Sequence, residues 1–195
     1  MPYFDERTLH LLNNKQFYND LIIAETRVQA LLEACAVEIK AAWEPLLTSD
    51  DPLLRSAAKT TRGNNFLGYP WTIIDFPRKF EADGFLALRI LCLRGHCFSI
   101  TLHLSGEPFK YYLKNIIARK SQIPSHYFLS ANSDEWMHII DEKNYWRMDQ
   151  SEIDFSKEIQ NSTYLKIAHK IPFEDADSLP RIAGETAKLL FEILL

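Results

Sequence analysis

The stretch from Tyr69 to His103, YPWTIIDFPRKFEADGFLALRILCLRGHCFSITLH, constrains this chain more than any other. Its β-branched and aromatic residues come in runs of strand length, separated by Pro77, Asp83-Gly84 and Arg94-Gly95. The runs predict three consecutive strands: Tyr69 to Phe76, Phe85 to Leu93, and His96 to Leu104. With a two-residue loop at Arg94-Gly95, Leu93 pairs with His96, which sets Arg89 opposite Ile100, Ala87 opposite Leu102, and Cys92 opposite Cys97. A three-residue loop shifts this register by one and exchanges the faces.

Single charges stand inside these apolar runs. Asp75 is the carboxylate of the first strand and Arg89 the charge of the second. A charge in a buried strand costs several kcal/mol (on the order of) unless it is paired and hydrogen-bonded. The two therefore either meet as a structural ion pair that fixes register or line a pocket for a polar or carboxylate-bearing ligand. Both readings stay open.

The flanking segments predict helices. Residues 5–14 form a short amphipathic pattern. From Asn19 or Asp20, apolar residues recur at Leu21, Ala24, Val28, Leu32, Cys35, Ile39, Trp43 and Leu46, at helical spacing. Pro45 and the Thr48–Pro52 cluster end that helix, and residues 53–60 could add a further turn. Ser105-Gly106-Glu107-Pro108 opens another helix with a stripe of Phe109, Tyr112, Leu113, Ile116 and Ile117, and Gln122-Ile123-Pro124 closes it. Residues 126–148 fit either a helix opened at Asn132 or strands at 126–131, 136–140 and 145–148; their aromatic content favours strands. A short helix over 151–160, capped by Ser151, follows. Thr163 to Phe173 alternates as a half-exposed strand, with Lys166, Ala168 and Lys170 on the outer side. A final helix starts near Ser178 and Pro180. Without regular β-α-β alternation, the fold class is α+β: one domain over 1–195, with a largely antiparallel sheet flanked by a long N-terminal, a middle and a C-terminal helix.

Composition narrows function mainly by exclusion. A net charge of −4 argues against a general nucleic-acid binder. The apolar runs are too short to span a bilayer. Cys35, Cys92 and Cys97 are odd in number and dispersed, and the N-terminus lacks a signal-peptide layout, so a cytoplasmic location with reduced thiols is expected. The six histidines show no metal-ligand spacing, and no cofactor fingerprint is present; neither a metal nor a cofactor is expected.

A ligand site can still be sketched. The segment Thr60–Gly68 reads as a loop in which backbone N–H groups, Asn64 and Asn65 could cradle an anion beside Arg62. Arg78, held by Pro77, could join that corner. His103 shares a strand face with Ser99 and Thr101, yet residues two apart on a strand are about 7 Å apart, too far for a Ser–His catalytic contact.

At Gly68-Tyr69-Pro70-Trp71, Ile74-Asp75-Phe76-Pro77-Arg78 and Thr101-Leu102-His103-Leu104-Ser105-Gly106, the chain resembles a set of small bacterial cytoplasmic proteins without an established function. The resemblance covers residues 60–106 and implies no activity, cofactor or site. The leading expectation is a globular protein that binds a ligand or protein partner without visible catalytic machinery. The alternative is an enzyme acting on a small polar or anionic substrate through Asp75, Arg78, Arg89 and His103. A homodimer through the long 20–46 helix or the C-terminal helix is a third expectation.

Overall fold

The computed structural model describes residues 3–48, 56–150 and 152–195. Its helices are α1 (Glu6–Asn13), α2 (Lys15–Trp43), α3 (Gly106–Ala118), α4 (Phe155–Gln160) and α5 (Leu179–Leu194). Its strands are β1 (Lys59–Phe66), β2 (Tyr69–Glu81), β3 (Gly84–Leu93), β4 (Cys97–Ser105), β5 (Phe128–Ser130), β6 (Tyr145–Arg147) and β7 (Tyr164–Ile171). They form one seven-stranded sheet in the order β1-β2-β3-β4-β7-β5-β6. Every pairing is antiparallel, so the α+β class holds. Among the described residues no helix is long and apolar enough to cross a membrane.

The alternation of the strands assigns two faces. On one, Ile74, Leu88, Ile90, Ile100, Leu102, Leu165 and Ile167 form the main core with Leu32, Ile39 and Trp43 of α2 and Leu190 and Phe191 of α5. The Trp43 indole stacks on Phe191 with centroids 5.5 Å apart and meets the edge of Phe76 at 5.9 Å. Burying such side chains contributes about 1.5–3 kcal/mol each, which is what holds the helical layer to the sheet. The other face carries Asp75, Arg89, Thr101, His103 and Lys166, all buried.

Several expectations are corrected. The β3–β4 connection is the three-residue one: Leu93 pairs with Cys97, so Arg89 lies opposite Thr101, Ala87 opposite His103 and Cys92 opposite Phe98. Gly95 takes φ 81° and the His96 N–H donates to Leu93 O at 3.0 Å, closing the reversal one residue later. Thr60–Gly68 is no loop. Lys59–Phe66 is an edge strand whose polar side chains need no burial, bulged between Gly63 and Phe66 where Asn64 and Asn65 sit. Only Leu67 (φ 53°) and Gly68 (φ 91°) remain as a two-residue turn.

The outer side of β7 is solvated only at Lys170: Ala168 is buried and Lys166 is 1% exposed, because the segment 131–144 lies over it. Within 126–148 the strand reading holds for β5 and β6 alone, and Trp136–Ile140 belongs to neither strand nor helix. Helix α2 starts at Lys15, capped by the Asn14 side chain, whose Oδ1 accepts from Phe17 N–H. Residues 56–58 form no helical turn, and residues 53–55 of that expectation, like the Ser151 cap, lie outside the described residues; Asp154 caps α4.

Two glycines join the meander to α3. Gly84 and Gly106 bridge each other with φ 148° and 61°, and a Cβ on Gly106 would stand 2.0 Å from Asp83 O. That carbonyl accepts from Glu107 N–H at 3.0 Å, the first turn of α3. Gly106→Ala is expected to cost at least about 3 kcal/mol, adding backbone clash to the ~1–2 kcal/mol of a left-handed residue. Urea denaturation measures this; a loss below about 1 kcal/mol would contradict the close approach.

Candidate functional site

The sheet's second face is closed by an Ω-loop whose ends meet where Ala131 N–H donates to Asn144 O at 2.8 Å. The Asn132 side chain donates to Asn144 Oδ1, and Asp141 Oδ1 accepts from Lys143 and Asn144 N–H, so short polar side chains shape the loop locally. Sheet side chains then hold its carbonyls. Tyr145 Oη donates to Met137 O at 3.0 Å, Lys170 Nζ to Ile140 O at 3.0 Å, Lys166 Nζ to Met137 O, and Tyr164 Oη to Asn132 O. Four sheet positions thus fasten an irregular segment.

Beneath the loop runs a continuous polar chain. Arg89 grips Asp75 in a fork, Nε to Oδ1 at 2.7 Å and Nη2 to Oδ2 at 3.0 Å, between directly opposed residues of β2 and β3. The third guanidinium nitrogen reaches His138 Nε2 at 3.3 Å, and His138 Nδ1 lies 3.3 Å from Lys166 Nζ. Arginine only donates, so Nε2 is the acceptor and the ring proton sits on Nδ1. With that tautomer Lys166 accepts from Nδ1–H while donating to Met137 O, which only the neutral amine can do. Burial and, next, the Arg89 charge lower the Lys166 amine to about 7, consistent with that state. Burial first, then Lys166 whenever it is protonated and the Arg89 charge, hold His138 down at about 2.

His103 is fully buried on the same face. Phe85 and Trp136 enclose it at 4.5 and 5.4 Å between centroids. Among the described residues neither ring nitrogen has a hydrogen-bond partner; Glu135 Oε2 stands 3.5 Å from Nε2 without hydrogen-bond alignment. Burial first, then Lys166 and Arg89, keeps this imidazole far below its ordinary range.

Beside this chain, between the loop and β1–β3, lies a cavity of about 370 Å³. Ile73, Leu91 and Leu93 form its floor, Trp71, Phe66 and Trp136 its walls, and Arg89, His138, Thr61 and Asn65 its polar points. Ile139 packs on the floor residues, so the loop and the cavity share one apolar cluster. Trp136 also covers the Arg89 guanidinium at 5.6 Å.

Of the residues singled out from sequence, Asp75 and Arg89 are brought together and His103 stands on their face. Arg78 does not join them: beyond the bulge at Asp75–Arg78, its guanidinium lies over Phe80 at 4.9 Å, and its backbone N–H and O bind Ser56 Oγ. Arg62 lies with Arg94, Glu25 and Thr72 in a separate cleft, so no anion corner forms with Asn65. Asn64 is exposed, and the Asn65 side chain accepts from Gly68 N–H at 2.9 Å. Sequence reasoning gave no site role to His138 or Lys166. The one signal for Lys166 was its place on the alternating strand; nothing local marked His138.

Two outcomes follow. Asp75→Ala strands a buried guanidinium and is expected to cost about 3–5 kcal/mol, whereas Asp75→Leu combined with Arg89→Met recovers most of it. A single-mutant loss under about 1 kcal/mol by urea denaturation would refute the pair's role. Stability should also climb with pH in two windows. Imidazoles with lowered folded pKa bind protons only when unfolded, so His103 and His138 together cost about 3 kcal/mol per pH unit as pH falls below 6. Lys166, lowered likewise, binds its proton only in the unfolded chain between about pH 7 and the unfolded lysine value near 10.4, so stability rises there by about 1.4 kcal/mol per unit. Lys166→Met should flatten the alkaline window and leave the acid one; a wild-type curve flat from pH 7 to 9 would contradict the neutral amine.

No family model matches the chain, and neither a curated protein nor a solved structure is similar to it, so the chemistry of the cavity rests on its own geometry.

Proposed function

We infer that the chain is a binding protein whose cavity takes a flat, mainly apolar molecule carrying one hydrogen-bond acceptor. The observation that carries this reading is the cavity's composition: an aliphatic floor, three aromatic walls and one charged residue, Arg89. Its size, about 370 Å³, falls at the small end of the range usual for small-molecule sites. Aromatic walls favour a planar ligand, since ring pairs in offset or edge contact gain about 0.5–1.5 kcal/mol beyond the area they bury.

The polar end supports a neutral acceptor rather than a strongly anionic group. Asp75 already cancels the Arg89 charge, and the guanidinium keeps unused N–H donors after its bonds to Asp75 and His138. A carbonyl oxygen would satisfy one such donor without leaving a buried charge unbalanced. The enzymatic alternative has less support: of Asp75, Arg78, Arg89 and His103, only Arg89 lines the cavity.

Trp71 and Trp136, two of four tryptophans, make the cavity visible by fluorescence. Titration with 2-acetylnaphthalene should quench emission, with 2-ethylnaphthalene, which lacks the carbonyl, binding about tenfold more weakly, the value of one hydrogen bond of ~1.4 kcal/mol. The anion 2-naphthoate should gain nothing over the ketone. Thr61→Phe, at the rim on the edge strand, should abolish quenching while preserving the fold. Quenching that survives Thr61→Phe, or none with any of the three compounds, would overturn the reading.

A further inference from the structure

Helix α1 is an amphipathic helix that nothing among the described residues covers. Asp5 caps it, its Oδ1 accepting from Thr8 N–H at 2.7 Å, so it is well terminated. None of its residues is buried, and Leu9, Leu11 and Leu12 are 46%, 43% and 53% exposed. The first half of α2 continues the surface: Phe17, Tyr18, Ile22 and Ile23 are exposed by 41–62%, whereas α2 becomes buried only from Leu32 onward. With Phe4, these side chains expose on the order of 700 Å² of mainly apolar surface in total, distributed around both helices, so part of it faces any partner laid along them.

The same arm also bears a receptor. A groove of about 640 Å³ runs along α2, lined by Ile23, Ala24, Val28 and Leu31, with Phe98 and Ala176 on its far side. Helix α1 of the same chain cannot fill it. Only Asn14 separates α1 from α2, capping one helix end and the next start, and folding one helix back on another takes a connection of about 2–8 residues.

We propose that the occupant is α1 of a second copy, exchanged reciprocally in a two-fold dimer. In chain order, α1 and the groove lie about equally far to either side of Phe17 and Tyr18, α1 centred near Leu9 and the groove near Ala24 to Val28. Two arms side by side and antiparallel therefore seat each α1 in the other's groove, with Phe17 and Tyr18 at the two-fold axis. Such a contact is self-complementary, as a closed dimer requires. Charge agrees with it. Asp20, Asp177 and Arg27 edge the groove, and the polar side of α1 offers Arg7 and His10 to the acids and Glu6 to the arginine. Leu9 and Leu12 are the anchors, and the ion pairs fix direction.

Sedimentation velocity of the full chain from 1 to 100 µM, an ordinary range spanning typical dimer affinities, provides the test. The expected result is a dimer that Leu9→Glu with Leu12→Glu converts to monomer, the dissociation constant rising at least about 100-fold. Both sites are exposed and touch no core, so far-ultraviolet circular dichroism and thermal midpoint should stay unchanged. Tyr18→Cys should form a disulfide-linked dimer on mild oxidation, because Cys35, Cys92 and Cys97 are buried. A monomer at 100 µM, or a dimer indifferent to the α1 substitutions, overturns the proposal. Flotation of a monomeric chain with phosphatidylcholine vesicles, lost in Leu9→Glu with Leu12→Glu, would assign the face to lipid and overturn it equally.

Discussion

The buried pairing of Asp75 with Arg89 organises everything on the second face of the sheet. Opposed across β2 and β3, the two side chains cancel each other's charge and tie the register of the central hairpin to a specific contact. A slip of one residue in either strand would part the pair and send that strand's charge into the face where Leu88, Ile90 and Trp43 pack against the helices. The third nitrogen of Arg89 then fixes the acceptor nitrogen of His138, which assigns the proton to the other, which in turn assigns the protonation state of Lys166. One ion pair thus propagates through hydrogen-bond polarity across three strands and into the Ω-loop.

That chain explains how an irregular segment becomes the lid of a cavity. The Ω-loop has little secondary structure of its own, and its carbonyls would be costly to bury unpaired. Tyrosine and lysine side chains on β6 and β7 satisfy them instead. The arrangement places Trp136, His138 and Ile139 over the sheet as fixed walls, while a proton arriving on Lys166 would remove the acceptor that the His138 Nδ1–H needs.

Much of the architecture was legible in the sequence, and the failures share a cause. The strands from Tyr69 to Leu104, the long N-terminal helix and the C-terminal helix show periodicities strong enough to locate them. The β3–β4 register slipped because Arg94-Gly95 satisfies a two-residue turn locally, and only pairing with neighbouring strands chooses the three-residue one. The polar edge strand β1 looked like a loop because an edge strand with both sides near water needs no apolar alternation. For the site, Asp75 and Arg89 were conspicuous as charges out of place. Lys166 was not, since a lysine on an alternating strand ordinarily faces water; its burial depends on a loop more than twenty residues away in the chain, which no local pattern encodes.

The two ends of the sheet have a consequence for how the protein behaves in concentrated solution. A free strand edge is a template on which further strands can add without limit. Here one end is β1, charged, polar, interrupted by a glycine and kinked by a bulge. The other is β6, three residues long and therefore too short to offer a ladder. Both ends resist strand-by-strand growth into fibres, so a chain with this much apolar β-structure keeps its sheet finite.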